Sequence, residues 1–146
     1  ALDLSVQAQV LNFMRRIQNE YGLSYLFISH DLSVVKYMAD DIAIMHRGRF
    51  VERGAKEKIF KNPQHIYTRR LLSAIPQIDP INRDQHKVER QAVEKEYHEQ
   101  QIHYYSENGR VYDLQTFDTE HWVALNPEDK NNTSNVLKTQ QSEGGK

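Results

Sequence analysis

Four apolar residues, Tyr25-Leu26-Phe27-Ile28, run directly into Ser29-His30 and then into a helix-start signal, Asp31-Leu32. A short apolar run bounded by turn and capping residues predicts a buried strand over 24–28, followed at once by a helix. A buried strand that ends in a polar pair delivers its last side chain to the carboxyl edge of a sheet. In open α/β sheets that edge is where ligands bind. His30 is therefore the first candidate for a functional residue. Ser29-His30-Asp31 is not a hydrolase relay, because adjacent residues on a strand point to opposite faces.

The flanking pattern extends the α/β reading. Ser5 is a helix N-cap candidate, and Val6, Val10, Phe13, Met14 and Ile17 recur at helical spacing before Gly22 stops the helix. Asp31 caps a second helix that carries Leu32, Val35, Met38 and Ala39. An apolar strand over 42–45 meets Arg47-Gly48, short enough for a hairpin turn, and 49–52 returns antiparallel. A short helix over 56–60 stops before Asn62-Pro63, and another over 66–75 is ended by Pro76. The fold class is α/β. The strands are too few to cover the apolar helix faces, so the piece alone is expected to expose apolar surface.

Beyond Pro76 the chain becomes polar. Residues 77–97 read as a linker or a solvated, densely charged helix. Residues 98–126 read as a small antiparallel β extension, with strands over 101–105, 111–117 and 121–125 and the hairpin dipeptide Asn108-Gly109. Residues 127–146, rich in Asn, Thr, Ser, Gln and Gly, read as a disordered tail.

Composition narrows the chemistry. A net charge of −1 gives no electrostatic case for nucleic acid. Tyr104, Tyr105, Tyr112, Phe117 and Trp122 alternate as a small sheet's core does, and are read as core before a base-stacking surface. No cysteine is present, which excludes disulfides and thiolate metal sites and fits a reducing compartment. No apolar run approaches the roughly 18 residues of a membrane span. Seven histidines are spread without metal-ligand spacing: His98 and His103 are five apart, and His65, His86 and His121 lie in separate segments. No metal site is expected.

Three pieces together carry a resemblance. Ala1-Leu2-Asp3 precedes the first helix, Ser29-His30-Asp31 follows the strand, and Asn62-Pro63-Gln64-His65-Ile66-Tyr67-Thr68 leads to Leu71-Leu72 and Ile75-Pro76. These resemble the ATP-binding subunit of a bacterial oligopeptide importer of the ABC type (an F-type subunit). Ile66 stands where that family usually has proline. His121-Trp122-Val123 resembles a terminal segment of Gram-positive-type members, with Glu120 in place of a glycine.

The resemblance implies a C-terminal fragment starting at the loop that carries Asp3. Residues 1–76 would be the C-terminal half of a P-loop ABC ATPase domain. It implies that His30 is the switch-loop histidine that reaches the ATP γ-phosphate, positioning the phosphoryl oxygens more than acting as base. It places Asp3 on the loop at the nucleotide-sandwich dimer interface. The cofactors implied for the intact subunit are ATP and Mg2+. The partners implied are a second, homologous ATP-binding subunit, two membrane permease subunits and an extracellular peptide-binding protein, at the cytoplasmic face of the plasma membrane. The chain has no phosphate loop of the form G-x-x-x-x-G-K-[ST], so the fragment alone is expected not to bind triphosphate tightly or to hydrolyse it. A reading from another class is a non-enzymatic regulatory or docking module, with the ATPase half a decayed remnant.

Overall fold

The computed structural model describes residues 4–75 and 83–129. Asp3, Pro76, the linker's start and residues 130–146 of the expected tail lie outside the described residues. The described chain is α/β and divides into two compact units between Asp40 and Asp41.

The first unit holds two helices. Helix α1 spans Leu4–Tyr21, so Ser5 falls inside it rather than capping it. It ends as expected at Gly22 (φ 64°), where the Leu23 N–H donates to the Gln18 carbonyl at 3.1 Å. That is a left-handed glycine cap. Helix α2 spans Leu32–Met38. The Arg15 guanidinium donates to the Tyr37 carbonyl, and the Tyr37 hydroxyl donates to the Asn12 amide oxygen. Helix α1 is thereby tied to α2. The strand expected over 24–28 is not formed: those residues have no ladder partner among the described residues. An apolar run prepares a strand for burial, but a strand also needs a neighbour to take its backbone N–H and C=O groups. Leu26 and Ile28 are consequently 92% and 89% exposed, and Val6, Val10 and Phe13 of the α1 stripe are exposed too.

The second unit is built on one antiparallel sheet of order β1-β2-β4-β3. Strands β1, Asp41–His46, and β2, Arg49–Ala55, form the expected hairpin. Its two central residues, Arg47 (φ 50°) and Gly48 (φ 74°), are both left-handed, which matches the twist of the flanking strands. Between Ile44 and Met45 the register slips. Ile44 pairs with Glu52 and Met45 with Phe50, so Val51 is an extra residue on β2. The bulge breaks strict alternation, and adjacent Val51 and Glu52 are both fully buried.

Helix α3 covers Lys56–Lys61 and α4 covers Ile66–Ser73. The charged segment after the linker is a helix, α5, spanning Arg83–Glu99. It packs on α4 through Arg69 to Glu96 at 2.6 Å and Arg70 to Glu94 at 2.8 Å, with the Arg70 guanidinium 4.5 Å above the Tyr97 ring.

The segment expected as a strand over 101–105 is instead a 3-10 turn, Gln101–His103, with one isolated bridge from Tyr105 to Val111. Asn108-Gly109 does turn the chain there: Gly109 has φ 74°, and the Asn108 side-chain oxygen accepts from the Arg110 N–H. The Arg47 guanidinium holds this turn by donating to the Gly109 carbonyl at 2.8 Å. Strands β3, Leu114–Asp118, and β4, His121–Ala124, then form a hairpin. It does not stand as a separate sheet. β4 pairs with β2 through Glu52↔Val123, Arg53↔Trp122 and Gly54↔His121.

Candidate functional site

In the first unit, His30 sits on the turn directly before α2. Asp31 caps that helix, its Oδ1 accepting from the Ser33 N–H at 2.9 Å and the Val34 N–H at 3.4 Å. The Ser29 hydroxyl oxygen accepts from the Asp31 N–H at 2.9 Å. Both neighbours of His30 are thus held by local side-chain to backbone bonds. His30 itself is exposed and makes no hydrogen bond among the described residues. As expected, Asp31 and not His30 is the cap of that helix. The arrangement presents one free imidazole from a braced turn. It fits a single contact to a phosphoryl oxygen. A whole triphosphate asks for a cradle of backbone N–H groups and a lysine, and the chain carries no such loop.

In the second unit a buried polar cluster gathers on Glu52. Its carboxylate is completely buried and accepts three N–H donors from two distant segments. The Gln64 N–H donates to Oε1 at 2.7 Å, the His65 N–H donates to Oε2 at 3.0 Å, and His121 Nε2 donates to Oε1 at 2.7 Å. A buried carboxylate is tolerable only with such satisfaction.

His65 is both anchored and anchoring. Its backbone N–H is bound by Glu52, and its ring Nδ1 accepts from the Tyr67 N–H at 3.0 Å, which caps α4. The proton of the neutral ring therefore sits on Nε2, which is buried without a partner among the described residues. Burial first, then the His46 and Arg69 charges, push the His65 pKa down to about 3. The cap requires that form, since a protonated Nδ1 cannot accept. Tyr104 continues the cluster: its hydroxyl donates to the Gln64 carbonyl at 3.2 Å and accepts from Arg69 at 3.2 Å. Burial keeps that phenol protonated by raising its pKa.

The structure thus leaves His30 as a lone exposed donor and brings His65 and His121 together, which their sequence separation concealed. They meet on a carboxylate, and among the described residues no three His, Cys, Asp or Glu side chains are grouped as ligands. Also among the described residues, no helix is long and apolar enough to cross a membrane.

Residues 51–106 match the model of a family described as the oligopeptide/dipeptide transporter, C-terminal region. Over that span the chain is similar to the C-terminal region of peptide-transporter ATP-binding proteins. The matched span begins on β2 at Val51, beside Glu52, and takes in the His65 cap, Arg69 and Tyr104. The match therefore includes Glu52 and its two backbone donors, while His121 lies beyond it. The oligopeptide transport ATP-binding protein OppF of Lactococcus lactis subsp. lactis is 50% identical over 135 residues, 92% of this chain and 42% of that protein. The dipeptide transport ATP-binding protein DppF of Escherichia coli is 59% identical over 83 residues, 57% of this chain and 25% of that protein. The oligopeptide transport ATP-binding protein OppD of Mycobacterium tuberculosis is 55% identical over 83 residues, 57% of this chain and 14% of that protein. The chain spans less than half the length of these relatives.

Proposed function

We propose that this chain is part of an ATP-hydrolysing subunit that energises oligopeptide import, with His30 as its switch histidine. The observation that carries the reading is the exposed, unpartnered His30 between the braced Ser29 and the Asp31 cap, in a chain half identical to a transport ATP-binding protein. A histidine N–H aimed at the γ-phosphate would hold a phosphoryl oxygen and keep the attacking water in line as charge spreads in the transition state. ATP with Mg2+ supplies the phosphoryl group and its charge neutralisation when bound. Asp3 is proposed to lie at the interface with a second, homologous ATP-binding subunit. Two membrane permease subunits and an extracellular peptide-binding protein complete the assembly, at the cytoplasmic face of the plasma membrane. Within the chain, residues 1–76 would form the ATPase part, 77–97 a connector, 98–126 the β extension and 127–146 a tail. Residues 1–146 alone are proposed to be inactive, for want of a phosphate loop.

The test is His30→Ala in the longer subunit assembled with its partner. Nucleotide binding should persist while hydrolysis falls on the order of 100-fold, the loss of one transition-state contact of about 3 kcal/mol. Unchanged turnover would remove His30 from the mechanism.

The rival reading, a non-enzymatic docking module, has one observation of its own. The Glu52 carboxylate is fully buried and takes its donors from this chain, so it presents no surface to a nucleotide. Phosphate release by residues 1–146 alone, above buffer and lost on His30→Ala, would refute both the rival and the proposed inactivity.

A further inference from the structure

The carboxylate cluster joins segments far apart in sequence, and the last of its donors arrives on the β3–β4 hairpin. His121 is 69 residues from Glu52 and completely buried. β4 lies directly against Glu52, since Val123 is its ladder partner. We propose that the β3–β4 hairpin is a latch: by seating His121 on Glu52 and covering that carboxylate, it holds the Gln64-His65 backbone and with it the start of α4.

With the hairpin seated, Glu52 is dry, and its bonds to the Gln64 and His65 N–H groups act in a low dielectric. With the hairpin lifted, water reaches the same oxygens and competes for them, so the two backbone bonds weaken together. The His65 ring follows its backbone, and the Tyr67 cap follows the ring. The Tyr104 hydroxyl bond to the Gln64 carbonyl is one hold on that loop that does not pass through Glu52.

The hairpin's ladder to β2 is three residue pairs long, and Lys58 of α3 adds an ion pair to Asp118 and a bond to the Thr119 carbonyl at its turn. It also depends on a close approach. A Cβ built on Gly54 would come within 2.9 Å of the Glu120 carbonyl oxygen and 3.3 Å of the His121 ring. Glu120, at φ 58°, occupies a backbone conformation that favours glycine. A short ladder reached through a strained turn is built to open below the threshold of global unfolding. The latch lies wholly within the second unit and is independent of the nucleotide reading.

Amide hydrogen exchange on the full chain tests this. Gly54→Ala pushes the hairpin off β2 without touching Glu52, Gln64 or His65. Exchange at Val123, Gln64 and His65 should accelerate by a common factor of about ten or more, with Ile44 unchanged. Acceleration at Val123 alone, with Gln64 and His65 unmoved, would overturn the latch. Should Gly54→Ala fail to fold, the unmodified chain at low urea gives the same decision. One opening energy and one urea dependence shared by the three amides, smaller than those of Ile44, supports the latch. Separate values for Val123 and the Gln64-His65 pair, or values for all three equal to that of Ile44, overturn it.

Discussion

The two units of the chain spend similar apolar sequence in opposite ways. Up to Asp40, the large apolar side chains Val10, Phe13, Leu26 and Ile28 stay exposed. From Asp41 onward, Ile42, Ile44, Val51, Ile59, Ile66 and Val123 are buried. Hydrophobicity does not separate the two; the supply of backbone partners does. The run over 24–28 is as apolar as β1, yet β1 has β2 beside it across a two-residue turn. The second unit also buries polar groups, with the Glu52 carboxylate, the His65 Nδ1 and the Tyr104 hydroxyl meeting partners inside it. The first unit exposes His30, the proposed switch histidine.

The largest expected effect lies at the hub. Glu52→Leu removes the acceptor of two buried backbone N–H groups and of His121. It should destabilise the second unit by about 3–5 kcal/mol in urea melts, the cost of stranding buried polar partners. A loss under 1 kcal/mol would mean that the cluster is not the keystone of this unit.

The next effect is acid sensitivity. The folded-state pKa of His65 is depressed to about 3 while the unfolded value stays near 6.5. The unfolded chain therefore takes up a proton first as pH falls. The stability held by the neutral ring is complete above pH 6.5 and is lost progressively from there toward pH 3, by about 2 kcal/mol at pH 5. His65→Asn, which keeps a side-chain acceptor for the cap, should flatten this slope. An unchanged slope in that variant would assign the acid sensitivity elsewhere. The smallest effect is expected in the first unit. Leu26→Lys at a 92% exposed position should change stability by no more than about 0.5 kcal/mol while reducing self-association in sedimentation. A loss like that at Glu52 would show that residue 26 is packed after all.

Legibility in the sequence followed the range of the interactions. The Arg47-Gly48 hairpin, the Gly22 stop, the Asp31 cap and the α3–α4 pair could be read because their causes are local. His30 stood out because a polar residue follows an apolar run without a gap. Glu52 could not be found that way. Its burial comes from the bulge at Val51, which shifts the inward phase by one residue, and an alternating reading would turn one of the two outward. His121 was visible only as one scattered histidine, because its partner lies 69 residues earlier. The strand expected over 101–105 failed for a related reason. Tyr104 and Tyr105 are buried as a strand's core would be, but they enter from a 3-10 turn.

The contrast itself rests on the second unit being complete without the first. A urea melt of residues 41–129 alone tests that most directly. The account predicts a single cooperative transition, with the near-ultraviolet signal of the buried Tyr97, Tyr104 and Tyr105 lost in the same step. A gradual, non-cooperative loss of signal, or no folded signal at all in the absence of urea, would contradict it.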